Sequence, residues 1–194
     1  MKIIGITGGV GSGKSTVADI LEERFHAFLI NTDRIAHMLM QKDMQSYRKI
    51  VGHFGEEILD ENGEIDRGRL SGIVYRDPEK LKLLNSFTHP YVMDYVAKLI
   101  EKKKDEGTKL LCIETALPNE AGLTELCDEV WYVYASEDAR KARLAESRAY
   151  SEEKIDNIFR RQISDGEYRR LGTHVINNDC SRERLEEQIE VLLE

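Results

Sequence analysis

Short apolar runs alternate with helical hydrophobic periodicity along most of this 194-residue chain. Residues 2–7 form an apolar run ended by glycine, and apolar positions three and four apart follow over 14–25, which predicts a buried strand and then a helix. Further strands are predicted at 27–30, 109–114, 129–135 and 173–178. Further helices are predicted at 34–40, 44–54, 78–87, 90–104, 119–126, 137–147, 151–170 and 181–193. This alternation predicts an α/β fold, with a mainly parallel sheet flanked by helices on both faces.

The stretch from 43 to 105 interrupts the alternation, because it contains helical patterns and almost nothing that resembles a strand. Pro78 and Pro90 are each placed to open a helix, which puts His89 between two helices. We therefore predict one domain with a core of 1–42, 106–140 and 171–194 and a helical insertion over 43–105.

Composition narrows the function classes. The net charge of −8 argues against a general nucleic-acid or membrane-surface binder, and no apolar run approaches the ~18 residues of a spanning helix. The three cysteines are widely spaced without a CxxC pair, which favours reduced thiols over a metal or redox site. With no secretory signal pattern at the N-terminus, we expect a cytoplasmic protein that binds neither nucleic acid nor membranes.

Residues 8–15, GGVGSGKS, match the phosphate-loop pattern G-x-x-x-x-G-K-[ST] between a predicted strand and a predicted helix. Glycines let backbone N–H groups converge on phosphate oxygens, and the helix N-terminus adds positive charge. The alternative is a flexible glycine turn with a solvated lysine. The residues predicted to hold the nucleoside triphosphate and its Mg²⁺ are Gly8, Gly11, Ser12, Gly13, Lys14 (β- and γ-phosphates), Ser15 (Mg²⁺) and Thr16 (α-phosphate region).

Phosphate loops serve GTPase switches, motor ATPases and small-molecule kinases. The chain lacks the [NT]KxD motif that reads guanine, which argues against a GTPase. Motor ATPases are usually larger, and LLCIE (110–114), an apolar run ending in Glu114, is only a weak match to their acidic strand. The chain length and the helical insertion favour a small-molecule kinase over a nucleotide-dependent switch or binding protein.

A kinase needs a group that accepts or orients the proton of the acceptor hydroxyl. Asp33 follows the second predicted strand, which in a parallel sheet ends at the same edge as the phosphate loop. It is therefore a candidate base or a ligand in the Mg²⁺ shell, and the alternative is that it only caps a helix beginning at Arg34.

Positive charge is concentrated between residues 140 and 170, which hold nine Arg or Lys against six Asp or Glu. Arg148 lies in a short break between helices, where Ser151 can cap the second helix. This helix–loop–helix predicts a lid over 141–170 that brings Arg148 to the transferred phosphoryl group. A solvated helical hairpin is the alternative, and His89 is either a contact to the acceptor or a structural histidine.

The chain resembles the dephospho-coenzyme A kinase family over nearly its whole length. The resemblance rests on IGITGGVGSGKSTVA (3–18), INTDRIAH (30–37), IDRGRLSGIVYRDPEKLKLLNSFTHPYV (65–92), EAGLTELCDEVWYVYAS (120–136), the turn at Arg148, Gln162 and VINN (175–178). Two positions depart from the family pattern. Asn31 replaces the first Asp of an Asp-x-Asp pair, and ALPNE (116–120) replaces a Pro-Leu-Leu-Phe-Glu stretch while keeping Glu120.

The resemblance implies a three-layer phosphate-loop NTPase fold and transfer of the ATP γ-phosphoryl group to the ribose 3′-hydroxyl of dephospho-coenzyme A. The alternative is another small-molecule kinase, one that acts on a nucleoside or a nucleoside monophosphate. The resemblance also implies that the insertion is the substrate-side domain and that Arg148 lies in the lid. It places Asp33 in the base or proton-orienting role and Asn178 near the adenine of ATP. Thr7, Asp33 and His89 are then the candidate contacts to the acceptor.

Overall fold

A five-stranded parallel sheet in the order β2-β3-β1-β4-β5 is the frame of the structure, a computed structural model that describes residues 1–74, 77–116, 122–148 and 150–194. The strands are β1 (Lys2–Thr7), β2 (Phe28–Asn31), β3 (Leu110–Glu114), β4 (Glu129–Tyr134) and β5 (His174–Asn177). The predicted parallel sheet is confirmed. The central strand β1 lies between β3 and β4, so the strand order reverses at its carboxyl end. Ligands of parallel α/β sheets usually bind at such a point.

Most helices begin and end close to the positions that hydrophobic periodicity predicts. The helices are α1 (Lys14–Phe25), α2 (Thr32–Leu39), α3 (Gln45–Phe54), α4 (Arg67–Val74), α5 (Pro78–Asp105), α6 (Glu137–Arg148), α7 (Glu152–Arg161), α8 (Asp165–Leu171) and α9 (Arg182–Leu193). Short 3-10 turns lie at Glu56–Ile58 and Leu123–Leu126. None of the described helices is both long and apolar enough to cross a membrane.

The described residues divide into two compact units, Met1–Asn31 with Lys102–Glu194, and Thr32–Glu101. The core of the first unit lies between the sheet and the helices α1 and α9. Its fully buried side chains include Ile4 and Ile6 of β1, Leu21 of α1, Trp131 of β4 and Ile189 of α9. Burying an aliphatic side chain of this size contributes about 1.5–3 kcal/mol. This core therefore fixes β1 and α1, the two elements that carry the phosphate loop.

The second unit has its own apolar core, formed by Ile50, Phe54, Ile58, Leu70 and Val74. These residues come from α3, the following 3-10 turn and α4, a helix that the sequence analysis did not predict. The ENGE turn at 61–64 is confirmed, and the bridge between Leu59 and Ile65 closes it.

The predicted break before Pro90 is wrong, because α5 is continuous from Pro78 to Asp105 with Pro90 inside it. Proline removes one backbone hydrogen bond from a helix interior. The buried positions Thr88, Val92, Val96 and Ile100 continue across the proline at four-residue spacing, and we attribute the continuity of the helix to this stripe. His89 therefore lies within a helix.

The single helix predicted over 151–170 is also wrong, because α7 ends at Arg161 and α8 begins at Asp165. Ser164 caps α8 and forms a reciprocal capping box with Glu167. The capping box begins a new helix at Asp165, although the charged helical pattern of the sequence continues without a break from α7. Of the helix predicted at 119–126, the described part is the 3-10 turn from Leu123, and residues 117–121 lie outside the described residues.

Candidate active site

The phosphate loop joins the central strand β1 to the N-terminus of α1. Gly13 is the N-cap of α1 with a φ of 90°, and Gly11 has a φ of 81°. L side chains rarely adopt such conformations, so glycine is required at both positions. The N-terminus of α1, with its partial positive charge, follows directly. This geometry is the one that an anion-binding loop needs.

Lys14 is the first residue of α1, and its ammonium lies over the start of the loop. Its Nζ donates hydrogen bonds to the carbonyl oxygens of Gly8 at 2.9 Å and Gly9 at 3.2 Å. The charge is therefore already held beside the loop rather than extended into solvent. A phosphate entering the loop would meet this ammonium at short range.

Hydroxyl groups around the loop differ sharply in exposure. Ser15 is exposed on the first turn of α1, which suits a residue that would hold Mg²⁺. Ser12 and Thr7 are buried, and neither hydroxyl oxygen has a partner among the described residues. Thr7 lines a small cavity with Gly5 and Thr115. No cluster of three or more His, Cys, Asp or Glu in the described ranges could hold a metal ion.

Two side chains from distant parts of the sequence anchor the loop at Ser12. Asn178, at the end of β5, is buried and donates its Nδ2 to the carbonyl oxygen of Ser12 at 2.7 Å. Arg143 of α6 donates its Nη1 to the carbonyl oxygens of Gly11 and Ser12 at 3.4 and 3.3 Å and its Nη2 to that of Asn178 at 2.6 Å. Asn178 therefore supports the loop directly.

Arg140, one turn earlier on α6, lies over the start of the loop. Its Nε donates to the carbonyl oxygen of Val10 at 2.9 Å, and its Nη2 donates to Oε1 of Gln162 at 2.5 Å. The guanidinium carbon lies 4.3 Å from the ring centre of Phe159. The sequence alone does not distinguish Arg140 or Arg143 from the other cations that make 140–170 positively charged.

Asn31, which replaces the aspartate of the family pattern, contacts Glu114 at the carboxyl ends of β2 and β3. Asn31 pairs with Glu114 in the sheet, and its Nδ2 donates to Oε2 of that residue at 2.7 Å. An aspartate at position 31 would place a second carboxylate against Glu114, and like charges at this distance repel. The amide therefore donates a hydrogen bond to Glu114 where an aspartate would repel it.

Comparison with known proteins identifies the family. The family model for dephospho-CoA kinase matches residues 2–184. This chain belongs to the dephospho-CoA kinase family. A dephospho-CoA kinase of Carboxydothermus hydrogenoformans is 39% identical over 194 residues, covering 100% of this chain and 94% of that protein. The dephospho-CoA kinase of Corynebacterium diphtheriae is 37% identical, covering 96% and 92% of the two chains.

Solved structures agree with the fold of the dephospho-CoA kinase family. TT1252 from Thermus thermophilus superposes with a TM-score of 0.83 at 29% identity, over 99% of this chain and 96% of that one. A dephospho-CoA kinase from Campylobacter jejuni gives a TM-score of 0.71 at 24% identity, over 99% and 98% of the chains. A shikimate kinase from Acinetobacter baumannii, at 0.58 and 16% identity over 100% and 93% of the chains, shares the fold. The predicted phosphate-loop kinase fold is confirmed.

Within the dephospho-CoA kinase fold, Asp33 lies in the second unit, in the first turn of α2. The helix begins at Thr32 rather than Arg34, so the alternative that Asp33 caps a helix starting at Arg34 is wrong. His37 is one turn further along α2. Burial and the charge of Arg67 lower the pKa of His37, and the charge of Asp33 opposes this shift. Asp33, His37 and Arg67 thus interact electrostatically within this unit.

The structure brings part of the predicted site together in the first unit. Around the loop it places Thr7, Gly8, Gly11, Ser12, Gly13, Lys14, Ser15, Thr16 and Asn178. Asp33 and His89 belong to the second unit. Arg148 is the last residue of α6, and its side chain lies outside the described part of the structure, as does Glu120. Ser151 caps α7 as predicted.

Proposed function

We propose that this chain is a dephospho-CoA kinase, which transfers the γ-phosphoryl group of ATP to the ribose 3′-hydroxyl of dephospho-coenzyme A. The products are ADP and coenzyme A. The observation that carries the proposal is a phosphate loop between the central strand and α1 in a chain that matches the family model over residues 2–184. The pattern of composition and charge is consistent with a cytoplasmic enzyme that acts on small molecules.

In this reaction the 3′-oxygen forms a bond to the γ-phosphorus while the bond from that phosphorus to the β–γ bridging oxygen breaks. Lys14 would bind the β- and γ-phosphates, and Ser15 would hold Mg²⁺. When bound, Mg²⁺ supplies positive charge against the phosphate oxygens. Asp33 would accept or orient the proton of the 3′-hydroxyl, and Arg148 would stabilise charge on the transferred group.

The remaining assignments follow the family resemblance. The helical insertion over 43–105 would bind dephospho-coenzyme A, with Thr7, Asp33 and His89 as contacts. The stretch 141–170 would act as the lid. Asn178 would lie near the adenine of ATP, and its hydrogen bond to Ser12 supports a position beside the nucleotide loop.

The test is release of ADP from ATP and Mg²⁺ with dephospho-coenzyme A, with AMP, cytidine monophosphate and adenosine as control acceptors. We expect turnover when the acceptor is dephospho-coenzyme A and none with the three control acceptors. The product should carry a 3′-phosphate. Asp33→Asn should keep ATP binding and slow transfer by roughly 10²-fold or more, as expected for loss of a general base. Acceptor-independent hydrolysis without stimulation by dephospho-coenzyme A would refute the proposal, and normal turnover of Asp33→Asn would remove Asp33 from the mechanism.

A further inference from the structure

Gly9 occupies a variable position of the phosphate-loop pattern, where the pattern itself does not require glycine. Its backbone is not in the left-handed region, so an L residue would fit its conformation. A side chain at position 9 is excluded because the space that it would need is already occupied. A Cβ at this position would lie 2.6 Å from Nη2 of Arg140 and 2.8 Å from Oε1 of Gln162. Glycine at position 9 therefore lets these two side chains rest on the loop backbone.

The guanidinium of Arg140 is positioned from three sides. Val10 accepts from its Nε, Gln162 accepts from its Nη2, and the ring of Phe159 lies against its face at 4.3 Å. Such a stacked and hydrogen-bonded guanidinium has lost most of its rotational freedom before any ligand arrives. These two bonds occupy two of its five N–H donors.

The half-buried guanidinium of Arg140 lacks, in the described part of the chain, the carboxylate partner that buried cations usually have. Among the residues that the structure describes, no carboxylate lies within 4.0 Å of Arg140. The acidic side chains nearby pair with other cations, since Lys141 contacts Glu137 and Arg169 contacts Asp165. Burial lowers the pKa of Arg140 even though the charges of Glu137 and Asp165 oppose the shift, so these more distant carboxylates do not offset the cost of holding the guanidinium away from water. Buried charges are normally paired, so an anion is the group that this position lacks.

We propose that Arg140 is a cation held ready for the triphosphate at the start of the phosphate loop, that Gln162 positions it, and that Gly9 is glycine so that both can approach. The inference rests on the proposed function, because it assigns a further group to the same nucleotide site. Gln162 lies in the connection between α7 and α8 and accepts a hydrogen bond from Arg140. The conformation of this connection and the position of the Arg140 guanidinium are therefore coupled.

The sharpest test is Gln162→Glu. The carboxylate keeps the acceptor for Nη2 of Arg140, and the Nε2 that it removes has no hydrogen-bond partner in the described residues. A purely structural link between α6, the loop and α7 would be kept or strengthened. A cation reserved for phosphate would instead be neutralised by the new carboxylate, and the triphosphate would be repelled.

We would measure binding of a non-hydrolysable ATP analogue and of ADP at equilibrium, and kcat and KM for ATP with dephospho-coenzyme A, for Gln162→Glu, Arg140→Met, Arg140→Lys and Gly9→Ala. The control is Arg184→Met, the same substitution at an exposed arginine of α9 paired with Glu187. We expect at least about tenfold weaker analogue binding for Gln162→Glu and Arg140→Met, an interaction of ~1.4 kcal/mol. Arg140→Lys should recover part of the loss, Gly9→Ala should weaken binding in the same direction, and Arg184→Met should match the wild type.

Analogue binding within twofold of the wild type in Gln162→Glu, with its melting temperature unchanged or raised, would overturn the proposal even if Arg140→Met fails to fold. Because binding needs no acceptor, the outcome is separate from that of the proposed function. A wild-type protein that binds the analogue but leaves dephospho-coenzyme A unmodified would refute the function, while the variant series would still decide the role of Arg140. A wild-type protein that does not bind the analogue would overturn both.

Discussion

Replacing Asn178 with alanine tests whether the loop is anchored from β5. The substitution removes the hydrogen bond from Nδ2 to the carbonyl oxygen of Ser12, in a side chain that is only 6% exposed. Leaving a buried acceptor unsatisfied costs about 1–3 kcal/mol. Ser12 keeps the longer bond from Arg143 at 3.3 Å, and we therefore expect the lower part of that range, about 1–2 kcal/mol.

For a chain of this length, a loss of about 1–2 kcal/mol lowers the melting temperature by about 2–8 °C. If ATP binding must restore the loop, the same energy weakens the affinity by roughly 5–30-fold. Thermal unfolding and titration with a non-hydrolysable ATP analogue measure the two effects. Asn177→Ala is the matched control, because Asn177 is exposed and, among the described residues, its side chain bonds only the backbone N–H of Asp179. If Asn178→Ala behaves like this control in both assays, the loop does not depend on the amide.

Two further predictions concern titratable groups outside the phosphate loop. Burial opposes ionisation of Glu129, but hydrogen bonds from a lysine ammonium and from the indole of Trp131 outweigh it and lower its pKa. Its stabilising contribution is therefore present above the ordinary glutamate pKa, about 4.3, and is lost as the pH falls through the lower pKa of the folded state. Glu129→Gln should destabilise the protein at pH 7 and progressively less as the pH falls below about 4.3, measured by fluorescence of the single tryptophan, and a pH-independent difference would contradict this. Burial raises the pKa of Cys112 and Cys127 to about 12, while Cys180 is exposed. At pH 8 a thiol reagent should modify one cysteine rapidly in the native protein and three after denaturation, and two rapid thiols in the native protein would be inconsistent with the structure.

The parts of the fold that the sequence predicts well are those in which one local pattern determines the element. Lys2–Thr7 is a strand and Lys14–Phe25 is a helix at the residues expected, because a buried apolar run and a 3.6-residue period leave little alternative. The loop between them follows from its glycines and Lys14. These features are local, and a single sequence contains all the information that they need.

Two of the errors occur where two local patterns compete. Before Pro90, the restriction on the preceding residue argues for a break, but the buried stripe of α5 continues through it. Between Arg161 and Asp165, the helical spacing of charged residues predicts one continuous helix, whereas the capping box at Ser164 begins a new one. Serine followed three residues later by glutamate is visible in the sequence at Ser164, and giving it more weight than the periodicity would have predicted the start of α8.

The positions of Arg140 and Arg143 could not be predicted, because helical spacing shows that they share a face of α6 but not which element that face contacts. The same limit applies to the contact between Asn178 and Ser12, although the family resemblance places Asn178 near the nucleotide. The hydrogen bond between them spans 166 residues of sequence, and the pairing of β5 beside β4 brings the two together. Contacts of this kind depend on the order of strands in the sheet, which no local pattern contains.

The contacts of the loop explain how an acidic protein can hold a polyanion. Every carbonyl oxygen from Gly8 to Ser12 accepts a hydrogen bond from a cationic side chain, with Lys14 bonding the first two, Arg140 the third and Arg143 the last two. The negative ends of these peptide dipoles are therefore compensated by the protein before a phosphate approaches. A loop fixed in this way loses little further conformational freedom when a ligand binds, so more of the interaction energy with the phosphates appears as affinity. The net charge of −8 belongs to the chain as a whole, whereas the charge around these five residues is that of three cations.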